Sequence, residues 1–396
     1  MKSIFALSGD PITFGHINVI KCAAEMFKPL IVAIANNTNK NSKYVFTVEE
    51  RVNLAKRALE GLDVEVTSFE GLTADFARLN NASVIVRSMR DSIDFNYEKA
   101  IHDVNKKLGI TTVFLLAEQS MTHISSSAVR ELQTYNSDVH EYVPLVVKEA
   151  LERKISSQYL VGVTGEICAG KSYVTNVMVQ EAILRGLSAH NIDFDVIGRK
   201  ILTELDDPLF AAVRQRLIEK FPDIKLPFTT EVGRIHNMID ISKVRTVIFK
   251  KLENVQMYNE IMQEALMLQL RKELNGKKGL IFINCALTAE AGISHLTNNN
   301  IVVIKTTATL KMQALKSRGY SDSEIDDRLR SQLPFDEKIS LLAKHRAADN
   351  YGKLLVFENF ANECKAATLL QICCLLDSVI EQFKFRNLPM FTKHNT

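Results

Sequence analysis

Short apolar runs alternate with amphipathic stretches along the chain. Runs of strand length lie at 4–7, 30–35, 64–67, 84–86 and 113–116. Between them apolar residues recur at helical spacing, as at Ile17, Ile20, Ala24 and Phe27. This alternation predicts a parallel sheet with helices on both faces. Thr47-Val48-Glu49-Glu50 reads as a capping box. It opens a helix carrying Val52, Leu54, Ala55 and Leu59, which reads as scaffold. A closing helix at 144–154 and a short linker at 155–158 precede a fresh strand-loop-helix pattern from Tyr159. At 396 residues the chain exceeds one ordinary core. The expected fold class is therefore α/β, with two tandem doubly wound parallel-sheet domains over 1–155 and 158–396.

Composition narrows the classes. A net charge of +3 gives no case for nucleic-acid binding by bulk electrostatics. The six cysteines lack metal-ligand spacing and read as free thiols of a reducing cytosol. The N-terminus shows no signal peptide. The most apolar late run, 366–376, is too short and interrupted to span a bilayer. The expectation is a cytoplasmic protein without membrane or nucleic-acid partners; a homo-oligomer stays open.

Chemistry is densest at strand-to-helix junctions. Asp10-Pro11-Ile12-Thr13-Phe14-Gly15-His16 follows the first strand, where open α/β sheets bind ligands. Gly15 permits close approach of a phosphate, the helix start attracts anions, and His16 can donate to a charged phosphoryl oxygen. A plain turn with Thr13 as helix cap fits equally well. Lys40, in the polar loop after the second run, is either solvated or a phosphate clamp. Arg87 and Arg90, expected just beyond the 84–86 run, can grip phosphate in bidentate fashion or form surface ion pairs. Glu98 is expected to open a helix. Ser125, Ser126 and Ser127 precede another, where hydroxyls can cap or bind phosphate.

In the second half, Gly165-Glu166-Ile167-Cys168-Ala169-Gly170-Lys171-Ser172 is a complete P-loop between a strand and a helix. Its amides would cradle phosphates, Lys171 would reach the β- and γ-phosphates, and Ser172 would ligate Mg²⁺. Asp193 and Asp195 end the next strand. One can accept a substrate hydroxyl proton, while the other can orient the metal or cap the following helix. Arg199 follows one turn later.

The motif ending in Gly15-His16 resembles the Thr-x-Gly-His signature of the nucleotidyltransferase superfamily, in particular phosphopantetheine adenylyltransferase. Phe46-Thr47-Val48-Glu49-Glu50-Arg51, Val86-Arg87-Ser88-Met89-Arg90, Asp94-Phe95-Asn96-Tyr97-Glu98 and Ile124-Ser125-Ser126-Ser127 match in family order. The resemblance covers about residues 2–153. It implies ATP contacts at Ser8, Gly15, His16, Arg90, Glu98 and Ser125–Ser127. Ser8, Thr13, Lys40 and Arg87 would meet the acceptor, with His16, Lys40 and Arg87 catalytic. Ser88 replaces the family's glycine, which predicts a strained or rearranged turn if that glycine has positive φ. Residues 159–380, with the P-loop, Ile-Asp193-x-Asp195-x-x-x-Arg199, Arg328-Leu329-Arg330 and Asp349-Asn350, resemble dephospho-coenzyme A kinase. That resemblance implies ATP contacts at Gly165, Gly170, Lys171, Ser172, Arg330 and Asn350, with Lys171 and Asp195 catalytic. Asp193 and Arg199 would bind substrate.

Together the resemblances imply a bifunctional enzyme of coenzyme A synthesis, with ATP and Mg²⁺ and with 4′-phosphopantetheine and dephospho-coenzyme A as substrates. Alternatives are an active adenylyltransferase with a regulatory kinase-like half, or a different phosphate acceptor. Glu166, which replaces a glycine of the kinase family, motivates the regulatory alternative. Its carboxylate would stand near the triphosphate, where solvent, Mg²⁺ or an arginine such as Arg330 could each reduce the repulsion.

Overall fold

The computed structural model describes residues 1–37, 43–89, 92–226, 239–248, 251–319, 321–330, 332–359 and 365–390. The chain folds as two compact units, Met1–Ser156 and Ser157–Thr396. Each is built on a five-stranded, all-parallel sheet.

In the first unit, β1 (Ser3–Leu7), β2 (Leu30–Ala35), β3 (Val64–Phe69), β4 (Val84–Met89) and β5 (Thr111–Leu116) take the order β3-β2-β1-β4-β5. The helices are α1 (Phe14–Met26), α2 (Val48–Ala58), α3 (Thr73–Leu79), α4 (Ser92–Lys107), α5 (Ser126–Thr134) and α6 (Leu145–Leu151). β1 is buried along its whole length, as its unbroken apolar run requires when helices cover both faces. Alternate residues Ile4 and Ala6, with Ile31 and Ala33 beside them, pack on Ala74 and Ala77 of α3.

Two expectations shift here. The fourth strand runs to Met89, so Arg87 and Ser88 lie inside it, paired with Phe114 and Leu115. Ser88 is therefore extended strand, and the strained turn does not form. Glu98 lies in the middle of α4, which begins at Ser92.

The second unit contains β6 (Gln158–Gly165), α7 (Lys171–Leu184), β7 (Ala189–Asp193), α8 (Phe194–Thr203), α9 (Pro208–Lys220), α10 (Ile241–Ile248), α11 (Leu252–Leu274), β8 (Gly279–Asn284) and β9 (Asn300–Thr306). It continues with α12 (Ala308–Ser317), α13 (Asp322–Arg330), α14 (Phe335–Asp349), β10 (Lys353–Asn359) and α15 (Lys365–Gln382). The strand order is β10-β9-β6-β8-β7. Val161 and Val163 of β6 face α7 and α15, while Leu160 faces the α8–α11 side. That side carries the helical excursion between β7 and β8. Among the described residues no helix is long and apolar enough to cross a membrane.

Candidate active sites

The first unit changes winding direction at β1, whose neighbours β2 and β4 lie on either side. A crevice outside the strand C-termini at such a switch point is where open α/β sheets take their ligands. The Ser8–Thr13 loop lies there. Thr13 is fully buried at the start of α1. Its backbone N–H donates to His16 Nδ1 at 3.2 Å, and its Oγ1 lies 2.8 Å from the same nitrogen. An amide can only donate, so Nδ1 accepts and the neutral ring carries its proton on Nε2. His16 thus closes the helix cap through Nδ1, which leaves its proton on Nε2.

Three further residues hold the loop. Asp10, 2% exposed, accepts from the amides of Val45 and Phe46 at 3.0 Å each. Its carboxylate lies 3.5 Å from the Arg130 guanidinium, which also donates to the Asp10 carbonyl. Arg51, 1% exposed on α2, donates to the carbonyls of Ser8 (2.7 Å) and Ala35 (2.9 Å) and lies over the Tyr44 ring. It thereby ties together the C-terminal ends of β1 and β2. The reading of α2 as scaffold is thus incomplete. The available signal was a charged residue three and four positions before Leu54 and Ala55, on the apolar stripe.

The serines divide their work. Ser125 caps α5 by accepting from the Ala128 amide at 3.1 Å. Ser126 donates to the Pro11 carbonyl at 2.8 Å, and Ser127 accepts from Arg130 at 3.3 Å. This brings the α5 N-terminus to the β1 loop. The 121–124 segment passes beside Gly15, where an added Cβ would lie 3.5 Å from the Met121 carbonyl. Arg87 reaches the same junction and donates to the Ala6 carbonyl at 3.0 Å. Ser8 is exposed at the loop's start. Lys40 and Arg90 lie outside the described residues, as does the side chain of Glu98.

In the second unit the P-loop follows β6. Gly165 has φ +145°, and a Cβ there would lie 2.2 Å from the Ile304 carbonyl oxygen, so only glycine fits against β9. Gly170, at φ +86°, starts α7, and a Cβ would meet Asn359 Nδ2 at 2.4 Å. Lys171 folds back over the loop and donates to the carbonyls of Gly165 (3.2 Å) and Glu166 (2.9 Å). Burial lowers its pKa; Asp195 opposes that shift and Lys338 adds to it. Ser172 Oγ donates to Asp193 Oδ2 at 3.2 Å, and Asn284 Nδ2 lies 3.0 Å from that hydroxyl and 3.1 Å from that carboxylate. A hydroxyl beside a carboxylate is a hard-oxygen donor set that suits Mg²⁺.

Asp193 Oδ1 also caps α8, accepting from the amides of Asp195 (2.9 Å) and Val196 (3.3 Å). The helix-cap reading therefore holds for Asp193. Asp195 is exposed in the first turn of α8, and Arg199 is exposed one turn further. Burial, followed by the charge of Asp195, pushes the Tyr258 phenol up.

One expected ATP contact and the expected counter-charge of Glu166 change. Asn350 closes α14 at φ +46°, ahead of β10. Because β10, β9 and β6 are parallel, this is the opposite edge of the sheet from the P-loop. The seven residues of β10 put about 20 Å of strand between the two edges. The asparagine at the loop is Asn359, whose Nδ2 donates to the Ala169 carbonyl at 3.0 Å. Arg330 is exposed at the end of α13. The cation on Glu166 is instead Lys311 of α12, at 2.6 Å. Asn284, Asn359 and Lys311 were not singled out from the sequence. Asn284 and Asn359 shared one usable signal, a polar residue ending an apolar strand.

A switch-point crevice with a histidine donor at a helix start, followed by a P-loop with a Ser/Asp pair, defines a nucleotidyltransferase joined to a kinase. Residues 8–132 match the cytidylyltransferase-like family, and residues 159–353 match the dephospho-CoA kinase family. A phosphopantetheine adenylyltransferase of Deinococcus radiodurans is 37% identical over 161 residues, covering 40% of this chain and 96% of that protein. One from Clostridium perfringens is 40% identical, covering 39% of this chain and 94% of that protein. Another, from Leptospira biflexa, is 41% identical over 39% of this chain and 99% of that protein. The chain belongs to the phosphopantetheine adenylyltransferase family through its first unit, and its second unit is a dephospho-CoA kinase domain.

Proposed function

We propose that the two units catalyse consecutive steps of coenzyme A synthesis. In the first, a phosphate oxygen of 4′-phosphopantetheine attacks the α-phosphorus of ATP. The bond to pyrophosphate breaks, leaving dephospho-coenzyme A. His16 Nε2–H donates to charge that builds on the phosphoryl oxygens. Lys40, Arg87, Arg90, Ser8 and the α5 serines position the two phosphate groups, and Glu98 lies near the nucleotide. Positioning and charge stabilisation suffice, because the attacking phosphate is already ionised. The observation that carries this reading is the His16 ring, fixed through Nδ1 at the switch point.

In the second step the ribose 3′-hydroxyl of dephospho-coenzyme A takes the γ-phosphoryl group of a second ATP, and ADP leaves. Asp195 accepts the hydroxyl proton, Arg199 and Asp193 face the substrate, and Lys171 holds the phosphates. Ser172 and Asp193 would hold Mg²⁺, which screens phosphate charge when bound. The Lys311 partner of Glu166 favours this reading over a silent regulatory half. The reactants suit a cytoplasmic enzyme.

The test is to mix the pure chain with 4′-phosphopantetheine, Mg²⁺ and ATP and weigh the products. Coenzyme A is expected. Dephospho-coenzyme A alone would restrict the assignment to the first unit. No adenylylated product would point to another acceptor.

A further inference from the structure

Glu166 is the one acidic residue of the 165–172 loop, and an unpaired carboxylate there would repel the triphosphate. The structure gives it a partner. Glu166 Oε1 lies 2.6 Å from Lys311 Nζ, and the two side chains are 17% and 13% exposed. A pair so withdrawn from solvent is screened less than a surface pair. Its placement is also fixed. α12 follows β9, and β9 packs so tightly on the loop that Gly165 has no room for a Cβ. Lys171 meanwhile binds the Glu166 carbonyl, so backbone and side chain of this residue each meet a lysine.

We propose that Lys311 is a positioning residue for nucleotide binding in the second unit. It neutralises the Glu166 carboxylate and holds it toward α12, so that the P-loop amides and Lys171 meet the triphosphate without an opposing charge. Lys311 acts through Glu166 rather than by touching the phosphates. The inference rests on the kinase reading only in taking ATP as the ligand.

The experiment uses the full chain and four variants: Lys311→Met, Lys311→Arg, Glu166→Gln and the double Glu166→Gln/Lys311→Met. Hydrogen exchange of the peptide spanning 160–175, followed against ATP and ADP with magnesium, reports affinity at this loop alone and needs no turnover. Lys311→Met is expected to weaken ATP about tenfold or more, since it uncovers a charge several ångströms from the phosphates. The loss for ADP should be smaller. Lys311→Arg should stay near wild type. The double variant should recover most of the loss, and Glu166→Gln alone should bind ATP at least as tightly as wild type.

Unchanged ATP protection in Lys311→Met overturns the proposal. So does a double variant as weak as Lys311→Met, which would place Lys311 on the phosphates themselves. Should Lys311→Met not fold, Glu166→Gln still decides: weaker ATP binding than wild type overturns the idea. A wild-type loop that ATP does not protect overturns the kinase reading and this proposal together. ATP protection without 3′-phosphorylation of dephospho-coenzyme A overturns the kinase reading alone.

Discussion

A histidine at a helix start can be cap, catalyst or both, and its two ring nitrogens decide which. With Nδ1 accepting from Thr13, His16→Ala removes a cap acceptor and the Nε2–H donor together. Loss of an oxyanion-type donor costs about two to three orders of magnitude. Pyrophosphate release from the variant should fall by that much, with the thermal midpoint lowered only slightly. Near-normal release would leave His16 as a cap alone. Lys171 supplies a second test at this scale. Burial lowers its pKa below the ordinary 10.5, so the unfolded chain holds more protons between the two values. Stability should rise as pH climbs through that window. Lys171→Met removes the titration, so its urea midpoint relative to wild type should be highest near neutrality and decline toward pH 10.5. A pH-independent difference would refute the shift. Burial also pushes the Cys285 thiol up to about 12. It should therefore resist alkylation at pH 8 in the folded chain, as mass spectrometry of the labelled peptides would show.

Single residues on α2 and β6 decide how neighbouring elements meet. Arg51 reaches from α2 to the carbonyls that end β1 and β2. Arg51→Leu should leave two carbonyls short of donors, at about 1–3 kcal/mol for each group that stays dry. It should also raise KM for 4′-phosphopantetheine, because Arg51 holds the carbonyl of Ser8, a proposed acceptor contact. Urea unfolding and initial rates would read the two effects separately. At β6, Gly165→Ala forces a methyl against the Ile304 carbonyl, so β6 and β9 must part. The variant should lose ATP protection of the 160–175 peptide while adenylyl transfer by the first unit continues. Retained protection would mean the contact relaxes at little cost.

At the scale of the whole molecule, each site draws its assigned residues from one unit. A chain ending at residue 156 should therefore make dephospho-coenzyme A from ATP and 4′-phosphopantetheine at a rate within about an order of magnitude of the full chain. The linker expected over 155–158 shrinks, because a helical turn runs to Ser156 and β6 begins at Gln158.

The sequence alone determined the strands of the first unit, the two strands around the P-loop helix, the parallel class and the motif-bearing loops. These depend on local periodicity and on residues adjacent along the chain, such as Thr13 with His16 or Gly165 through Ser172. It did not determine which distant side chains meet those loops. Arg51 reaches the Ser8 carbonyl, Lys311 reaches Glu166 and Asn359 reaches Ala169 only because parallel strands bring their C-terminal ends to one edge. The same rule moved Asn350 away, since residues before and after one strand lie on opposite edges. Glu166 shows the physical reason most plainly. Read along the chain it is a repulsive charge, and only the pairing of β9 with β6, with α12 following β9, brings a cation to it.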